Sequence, residues 1–247
     1  MTTILGAAAS GLAHHALMVD AVGDNVANIS TSAFKRTRAL SQGSPSTTLE
    51  PGAPRMGVAL STLDVVHTAG AAFRDDDPLH FAIQDDSFLA VLHEDGSTAY
   101  TRYGALSADA SGNIVAFGGR LLEPPVTIPE GSTGPALDAS GAITVLNAEG
   151  VREEAGRLTL VRFPNPQGLQ EIGEGLYRES VNSGPTIEVT PGDGETASII
   201  TGALEGSNVD LAEEFTNLLV AQRAYQASAK TFSVGDAMLA LATDLTQ

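Results

Sequence analysis

The chain has 247 residues, enough for one large domain or two smaller ones. Its 13 basic and 30 acidic side chains give a formal charge of −17, which argues against nucleic-acid binding because phosphate contacts need clustered Lys and Arg. The sequence contains no cysteine, which excludes disulfides and thiolate metal sites. No apolar run approaches about 18 residues, so we expect no membrane-embedded helix, and the first residues lack the pattern of a secretory signal peptide.

A seven-residue apolar repeat in the first segment predicts an amphipathic helix. Its first row is Leu5, Leu12, Val19 and Val26. A second row, three residues further on, is Ala8, His15, Val22 and Ile29. Such a stripe must be buried against another element. We also expect Asn25 and Asn28 to hydrogen-bond backbone groups where the helix ends.

The middle of the chain predicts a linker followed by a β domain. Residues 41–57 are rich in Gly, Pro, Ser and Thr, and we assign 41–75 as a whole to an extended linker. Residues 76–204 contain short apolar runs separated by turn signals such as Asp95–Gly96, Ser111–Gly112 and Ser140–Gly141. The spacing of these turns, roughly 8–12 residues, predicts an antiparallel β-rich domain.

The last segment predicts a second amphipathic helix. Asn208 and Asp210 are suited to accept hydrogen bonds at its start. Its seven-residue row is Leu211, Leu218, Tyr225, Phe232 and Leu239. Phe215 begins a second row, which Gln222 and Asp236 interrupt. The predicted fold class is therefore mainly β with terminal helices, in which an antiparallel β domain is inserted between two helices that pair as a coiled-coil-like unit.

We assign 1–40 and 205–247 to one terminal helical domain whose apolar rows form an assembly interface. Burial of these rows within a single helix pair barely balances the entropy of ordering the chain. We therefore expect full order only in an assembly, and the alternative is a helical hairpin docked on the chain's own middle. The predicted interface residues are Leu5, Leu12, Val19, Val22, Val26, Ile29, Leu211, Phe215, Leu218, Tyr225, Phe232 and Leu239.

No motif in the sequence predicts catalysis, a cofactor or a metal site. His14 and His15 are adjacent, so on a helix they diverge by about 100° and do not share a metal ion. The chain has no nucleotide-binding glycine pattern and no G-x-S-x-G motif. The basic group Lys35, Arg36 and Arg38 is interpreted as solvated charge near a helix end rather than as a phosphate site. We therefore expect no enzyme activity.

Three segments of the sequence carry a family resemblance. SGLAHHALMVDAVGDNVANISTSAFKRTRA resembles the N-terminal signature of bacterial flagellar rod and hook proteins, "NNxAN" followed by "TxGFK", with Asp24 and Ala33 as departures. LEGSNVDLAEEFTNLLVAQRAYQASAK is similar to the family's C-terminal signature, and AYTRYGALSADASGNIV to its β segment "YTRxGxFxxDxxGxLV". The residues that match the terminal signatures include Asn25, Asn28, Phe34, Asn208 and Arg223. Ala33 replaces the usual glycine, so a left-handed backbone there is in doubt.

The resemblance implies a structural subunit of the flagellar basal-body rod. In such proteins the terminal helices pack into a hollow axial tube that transmits torque, and the subunits assemble helically with copies of themselves and with other rod and hook proteins. The resemblance also implies export by the flagellar type III apparatus into the cell envelope. A distal rod position is favoured, and a proximal one fits the chain length as well.

Two other classes of protein stay open from the residues alone. The first is an adaptor that uses its terminal helices to grip a partner at fixed stoichiometry. The second is a carbohydrate-active enzyme on a β scaffold, for which acidic residues of the β domain would be essential. Formation of rods by the concentrated protein would distinguish a filament subunit from an adaptor and from an enzyme.

Overall fold

The computed structural model describes residues 2–43, 57–192 and 197–244. Contacts divide the chain into two units, each built from segments that are distant in sequence. The helical unit comprises Met1–Ile29, Arg36–Val66 and Val209–Gln247. The β unit comprises Ser30–Lys35 and His67–Asn208.

The helical unit contains two long helices, α1 over Thr2–Ala27 and α2 over Leu211–Asp244. With 34 residues at 1.5 Å each, α2 is about 51 Å long. Asp210 caps its start, because Oδ1 accepts hydrogen bonds from the N–H groups of Ala212 (2.8 Å) and Glu213 (3.2 Å). The two helices pack against each other, which confirms the predicted pairing of the chain ends. Among the described residues no helix combines the length and apolarity needed to cross a bilayer.

A β-hairpin completes the helical unit. Strands β1 (Thr37–Gly43) and β2 (Val58–Val65) pair in antiparallel fashion. Asn25 of α1 binds the start of β1 twice: Oδ1 accepts from the Thr37 N–H and Nδ2 donates to the Thr37 carbonyl, both at 2.8 Å. Ser10 Oγ accepts from the Val58 N–H at 3.1 Å, at the start of β2. The backbone hydrogen bonds expected of Asn25 are therefore present, and they fix the hairpin to α1.

The observed units correct the predicted domain boundaries in two places. The described parts of the predicted linker 41–75 contain the end of β1, all of β2 and strand β3 (Ala72–Arg74), whereas 44–56 lies outside the described residues. These segments are strands because their backbone groups pair with partners, β1 with β2 and β3 with a later strand. Residues 30–35, predicted to belong to the terminal domain, are part of the β unit, where Lys35 is buried.

Sixteen short strands lie in the described part of the β unit. They are β3, β4 (Phe81–Ile83), β5 (Ser87–Leu92), β6 (Thr98–Thr101), β7 (Ser107–Ala108), β8 (Ile114–Ala116), β9 (Arg120–Leu121), β10 (Thr133–Leu137), β11 (Ala142–Leu146), β12 (Arg152–Arg157), β13 (Leu160–Arg162), β14 (Gln170–Gly173), β15 (Leu176–Arg178), β16 (Ile187–Val189), β17 (Ile199–Thr201) and β18 (Ala203–Glu205). Their pairings are antiparallel, as predicted. The largest sheet has the order β14-β15-β6-β5-β13-β16. Smaller sheets are β10-β11-β12, β7-β8-β9, β17-β4 and β18-β3.

The core of the β unit lies against one face of the six-stranded sheet. Successive side chains of a strand point to opposite faces, so Leu89 and Val91 of β5 enter this core with Leu160 of β13. Side chains from the other sheets close it, among them Phe81, Ile114 and Ile143, each fully buried. The opposite face of the sheet carries Phe88, Ala90, Tyr100 and Val161. Apolar residues on both faces explain why the apolar runs here are almost unbroken.

Three turns of the β unit share one construction. Asp109 Oδ1 accepts hydrogen bonds from two backbone N–H groups further along the chain, and Asp138 does the same. The glycine three residues on is left-handed in both turns, with φ of 82° at Gly112 and 78° at Gly141. Both turns have the sequence DASG, at 109–112 and at 138–141. Asn147 builds a third turn of the same kind, which the sequence reading had not singled out.

Ala33 keeps the left-handed backbone that its side chain disfavours. Its φ is 58°, and its N–H donates to the Glu205 carbonyl at 2.8 Å. A non-glycine residue in this region costs about 1–2 kcal/mol. The surrounding contacts therefore impose the conformation although glycine is missing.

We expect Ala33→Gly to raise the free energy of unfolding by about 0.5–1 kcal/mol, because it removes the Cβ strain but adds freedom to the unfolded chain. Urea denaturation followed by circular dichroism measures the change. Ala108→Gly, in exposed strand β7, is the control and should be neutral or destabilising. A loss of stability in Ala33→Gly would contradict the strain argument.

Candidate assembly interface

Small residues on α2 form the seam with α1. Ala221, Ser228 and Gly235 recur every seven residues, and Ala221 is fully buried. A methyl group added at Gly235 would come within 2.9 Å of Leu5 Cδ2, and one added at Gly11 would lie 3.2 Å from Ser228 Oγ. Glycine and small side chains therefore allow the two helices of this unit to approach closely.

The seam with α1 uses a different row of α2 from the predicted one, whose role in contacts between copies stays a prediction. The predicted row leaves Leu211, Tyr225 and Phe232 at 42%, 45% and 39% exposed, and only Leu218 and Leu239 are half-buried. The small-residue row lies three positions on, about 60° around the helix. Both rows repeat every seven residues, so periodicity alone did not distinguish them. The large side chains lie beside the seam rather than in it.

The predicted residues of the first segment, in α1 and just after it, are all at least half-buried. Val22 is buried, and the others are half-buried: Leu5, Leu12, Val19, Val26 and Ile29. A groove between the helices is lined by Ala16, Val19 and Asp20 of α1 and by Gln222, Tyr225 and Gln226 of α2. The helical unit therefore buries the apolar side chains of α1 much more completely than those of α2.

α2 is apolar on several sides and most of that surface is uncovered. Nine of its large apolar residues are exposed: Leu211, Phe215, Leu219, Val220, Tyr225, Phe232, Val234, Met238 and Leu241. At 100° per residue, Leu211, Leu219 and Val220 point in three different directions. A helix that is apolar around most of its circumference is normally enclosed by other elements. The arrangement therefore favours neighbours on more than one side of α2.

The residues that match the family signatures have separate roles. Asn25 is buried and binds β1, and Asn28 Nδ2 donates to the Asp24 carbonyl at 2.9 Å. Asn208 Nδ2 donates to the Thr68 carbonyl in the β unit at 3.1 Å. Phe34 is half-buried, and Arg223 is exposed on α2.

The three basic residues near position 36 all pair with carboxylates, which corrects their interpretation as solvated charge. In the helical unit, Arg36 contacts Glu213 at 2.6 Å and Arg38 contacts Asp64 at 2.8 Å. In the β unit, Lys35 Nζ lies 2.5 Å from Glu205 Oε1 with both side chains buried. Lys35 also donates to the Thr68 carbonyl at 2.8 Å.

Glu205 joins Lys35 to a second buried cation. Arg102 Nε donates to Glu205 Oε2 at 3.0 Å, and the Gly70 N–H donates to Glu205 Oε1 at 2.8 Å. Arg102 also donates to the carbonyls of Ser87 and Ile83, so its guanidinium is well satisfied. We call Lys35, Arg102 and Glu205 the ionic cluster. It connects the three segments that carry the family resemblance, and each segment supplies one charge.

The sequence reading missed the roles of Arg102 and Glu205. Both were present in the signatures, within YTRYG and LEGSN, but no spacing rule connects residues that are about a hundred positions apart. The available signal was chemical: each is a charged residue inside a short run that otherwise predicts a buried strand.

Two cations share one carboxylate in the cluster, and this affects the proton on Lys35. Burial and the neighbouring Arg102 lower the pKa of Lys35 to about 8, although Glu205 opposes the shift. In the unfolded chain the lysine keeps a pKa near its ordinary 10.5. Between pH 8 and 10.5 the unfolded state therefore holds the extra proton, and stability from this group rises with pH.

We expect the free energy of unfolding to gain about 2–3 kcal/mol from Lys35 between pH 8 and 10.5. Lys35→Met lacks the titrating group, so its stability should fall relative to the parent chain as pH rises through this window. Urea denaturation of both chains at pH 7, 8, 9 and 10 gives the difference. Parallel stability curves would show that Lys35 does not titrate here.

Comparison with known proteins gives the family. The model of "Flagellar basal body rod FlgEFG protein C-terminal" matches residues 200–245, and that of "Flagellar hook protein FlgE/F/G D1 domain" matches 82–145. The chain is 34% identical to the flagellar basal-body rod protein FlgG of Caulobacter vibrioides, with 98% of both chains covered. It is 33% identical to FlgG of Bacillus subtilis, covering 93% of this chain and 94% of that one. The flagellar hook protein FlgE of Treponema pallidum is 42% identical over 103 residues, only 42% of this chain and 22% of the hook protein. The chain therefore belongs to the family of the flagellar basal-body rod protein FlgG.

Proposed function

We propose that this protein is a structural subunit of the flagellar basal-body rod and assembles through its paired terminal helices. The observation that carries the mode of assembly is the apolar surface exposed around most of α2. Family membership along nearly the whole chain supports the role and the location in the basal body.

The proposed assembly is open and helical. Because the exposed residues of α2 point in several directions, one helix meets different surfaces of different neighbours, which is a heterologous contact. Such contacts build a filament when rotation does not close a ring. The partners are copies of this chain and other rod and hook proteins, arranged as a hollow tube that transmits torque.

Three finer points stay predictions within this proposal. The C-terminal signature favours the distal part of the rod, and the flagellar type III apparatus is the proposed export route. The role is structural rather than enzymatic. The competing hypothesis is an adaptor that grips a partner through α2, and it predicts a fixed small stoichiometry rather than a filament.

The test is assembly at high concentration. We expect the concentrated chain to form rods or stacked rings in electron micrographs, and a variant lacking 207–247 to stay monomeric with a folded β unit, because it keeps Glu205. A discrete small oligomer that does not grow with concentration would support the adaptor hypothesis instead.

Lysine cross-linking reports directly on α2. The sequence has two lysines, Lys35 with its side chain buried and Lys230 exposed on α2. A Lys230–Lys230 bridge identified by mass spectrometry can only join two copies of the chain. We expect this bridge in assembled samples and not in dilute, monomeric samples of the same chain. Rods that form identically without α2 would contradict the proposal.

A further inference from the structure

A groove crosses the outer face of the six-stranded sheet in the β unit. Its floor includes Ala90, Tyr100 and Val161, which lie on the face opposite the core. The segment Glu123–Pro125 forms one wall, and the Glu123 N–H donates to the Ala90 carbonyl at 3.0 Å, which attaches the wall to β5. The groove has a volume of about 520 Å³.

Tyr100 is the central polar residue of this groove. Its side chain is only 7% exposed, and its ring packs edge-on against Phe163 with centroids 4.9 Å apart. Its hydroxyl makes no hydrogen bond to another described residue, and it is open to the groove rather than enclosed. A donor and acceptor group that lines a groove without a partner is available to a ligand.

Two carboxylates flank the tyrosine without a counter-ion. Glu123 on the wall and Glu188 of β16 are both exposed at the groove, and neither forms an ion pair with any described residue. Burial raises the pKa of Tyr100, and the charges of Glu179 and Glu123 raise it further, so negative charge dominates here. Thr98, Thr159 and Thr186 add hydroxyls to the lining.

We propose that this groove binds a lysine or arginine side chain presented by a partner protein. A cation supplies the counter-charge that the two carboxylates lack, and the Tyr100 hydroxyl and the threonines are acceptors for its N–H groups. The aliphatic stem of such a side chain fits the Ala90, Val161 and proline surfaces. A neutral or anionic ligand would leave the carboxylates without a counter-charge, so charge complementarity selects the basic one.

The experiment uses the full chain with ring-labelled tyrosine, observed by NMR. The sequence has four tyrosines, Tyr100, Tyr103, Tyr177 and Tyr225, so the spectrum is simple and Tyr→Phe variants assign it. The probe is N-acetyl-arginine amide, and N-acetyl-citrulline amide is the matched neutral probe. We expect the arginine probe to shift the Tyr100 signal without shifting Tyr225, and the citrulline probe to shift neither.

Variants that remove a negative charge test whether the arginine probe binds at this groove. Glu123→Gln with Glu188→Gln should weaken binding of the arginine probe about tenfold, since two exposed ion pairs are lost. Glu149→Gln removes the same charge from an exposed turn outside the groove and should change nothing. Equal response to both probes, or unchanged binding in the double variant, would overturn the proposal. A Tyr100 shift that depends on protein concentration alone would assign the groove to a second copy of this chain and overturn it as well.

Discussion

Glu205→Ala is expected to destabilise the β unit by about 3–5 kcal/mol, because it leaves two buried cations without their shared carboxylate. This is a large share of the roughly 5–15 kcal/mol that stabilises a typical domain. Urea denaturation followed by far-ultraviolet circular dichroism measures it, since the chain has no tryptophan to report by fluorescence. Lys35→Met in the Glu205→Ala background should restore part of the loss, because one unpaired cation is removed.

Glu154→Ala is the matched control for this prediction. Glu154 contacts Arg157 at 3.4 Å on the surface of the same unit, with both side chains about half exposed. An exposed pair of this kind contributes about 0–1 kcal/mol. If Glu205→Ala costs no more than Glu154→Ala, the ionic cluster does not hold the β unit together.

Phe232→Asp is expected to abolish assembly while the monomer stays folded. Phe232 is exposed in the single chain, so a charge there meets water, but in a filament it would be buried against a neighbour without a partner. The concentration required for assembly should rise by more than about a hundredfold. Sedimentation and electron microscopy measure assembly, and circular dichroism checks the fold. Phe215→Asp should behave in the same way.

Two comparisons sharpen this test. Ser233→Asp adds the same charge at the next residue of α2, where a polar side chain is already present, and should reduce assembly much less. Leu218→Asp changes a half-buried position and is expected to destabilise the helical unit as well. Normal filaments formed by Phe232→Asp would show that this side of α2 faces solvent in the rod.

Local chemistry made much of the fold predictable. The glycines that follow Asp109 and Asp138 predict turns, and these turns separate antiparallel strands as expected. The seven-residue repeats located both helices, and Asp210 supplied the helix cap. These features depend on residues a few positions apart, which a sequence displays directly.

Features that depend on distant residues were not predictable in the same way. The α2 seam runs through Ala221, Ser228 and Gly235 because close approach to α1 was more favourable than burying the larger side chains. The end of β1 and all of β2 were assigned to a linker, since contacts with Asn25 and Ser10 on α1 hold these strands in place. Lys35 resembled a surface charge because its carboxylate partner lies 170 positions away.

The ionic cluster also sets the order in which the β unit can be completed. Glu205 is the last of its three charges along the chain, and β17 and β18, near the same end, pair with the early strands β4 and β3. A polypeptide that emerges N-terminus first therefore holds Lys35 and Arg102 without their anion until more than four-fifths of it has appeared. Premature folding of the β unit during synthesis is thereby disfavoured, and the late arrival of one carboxylate acts as the closing step.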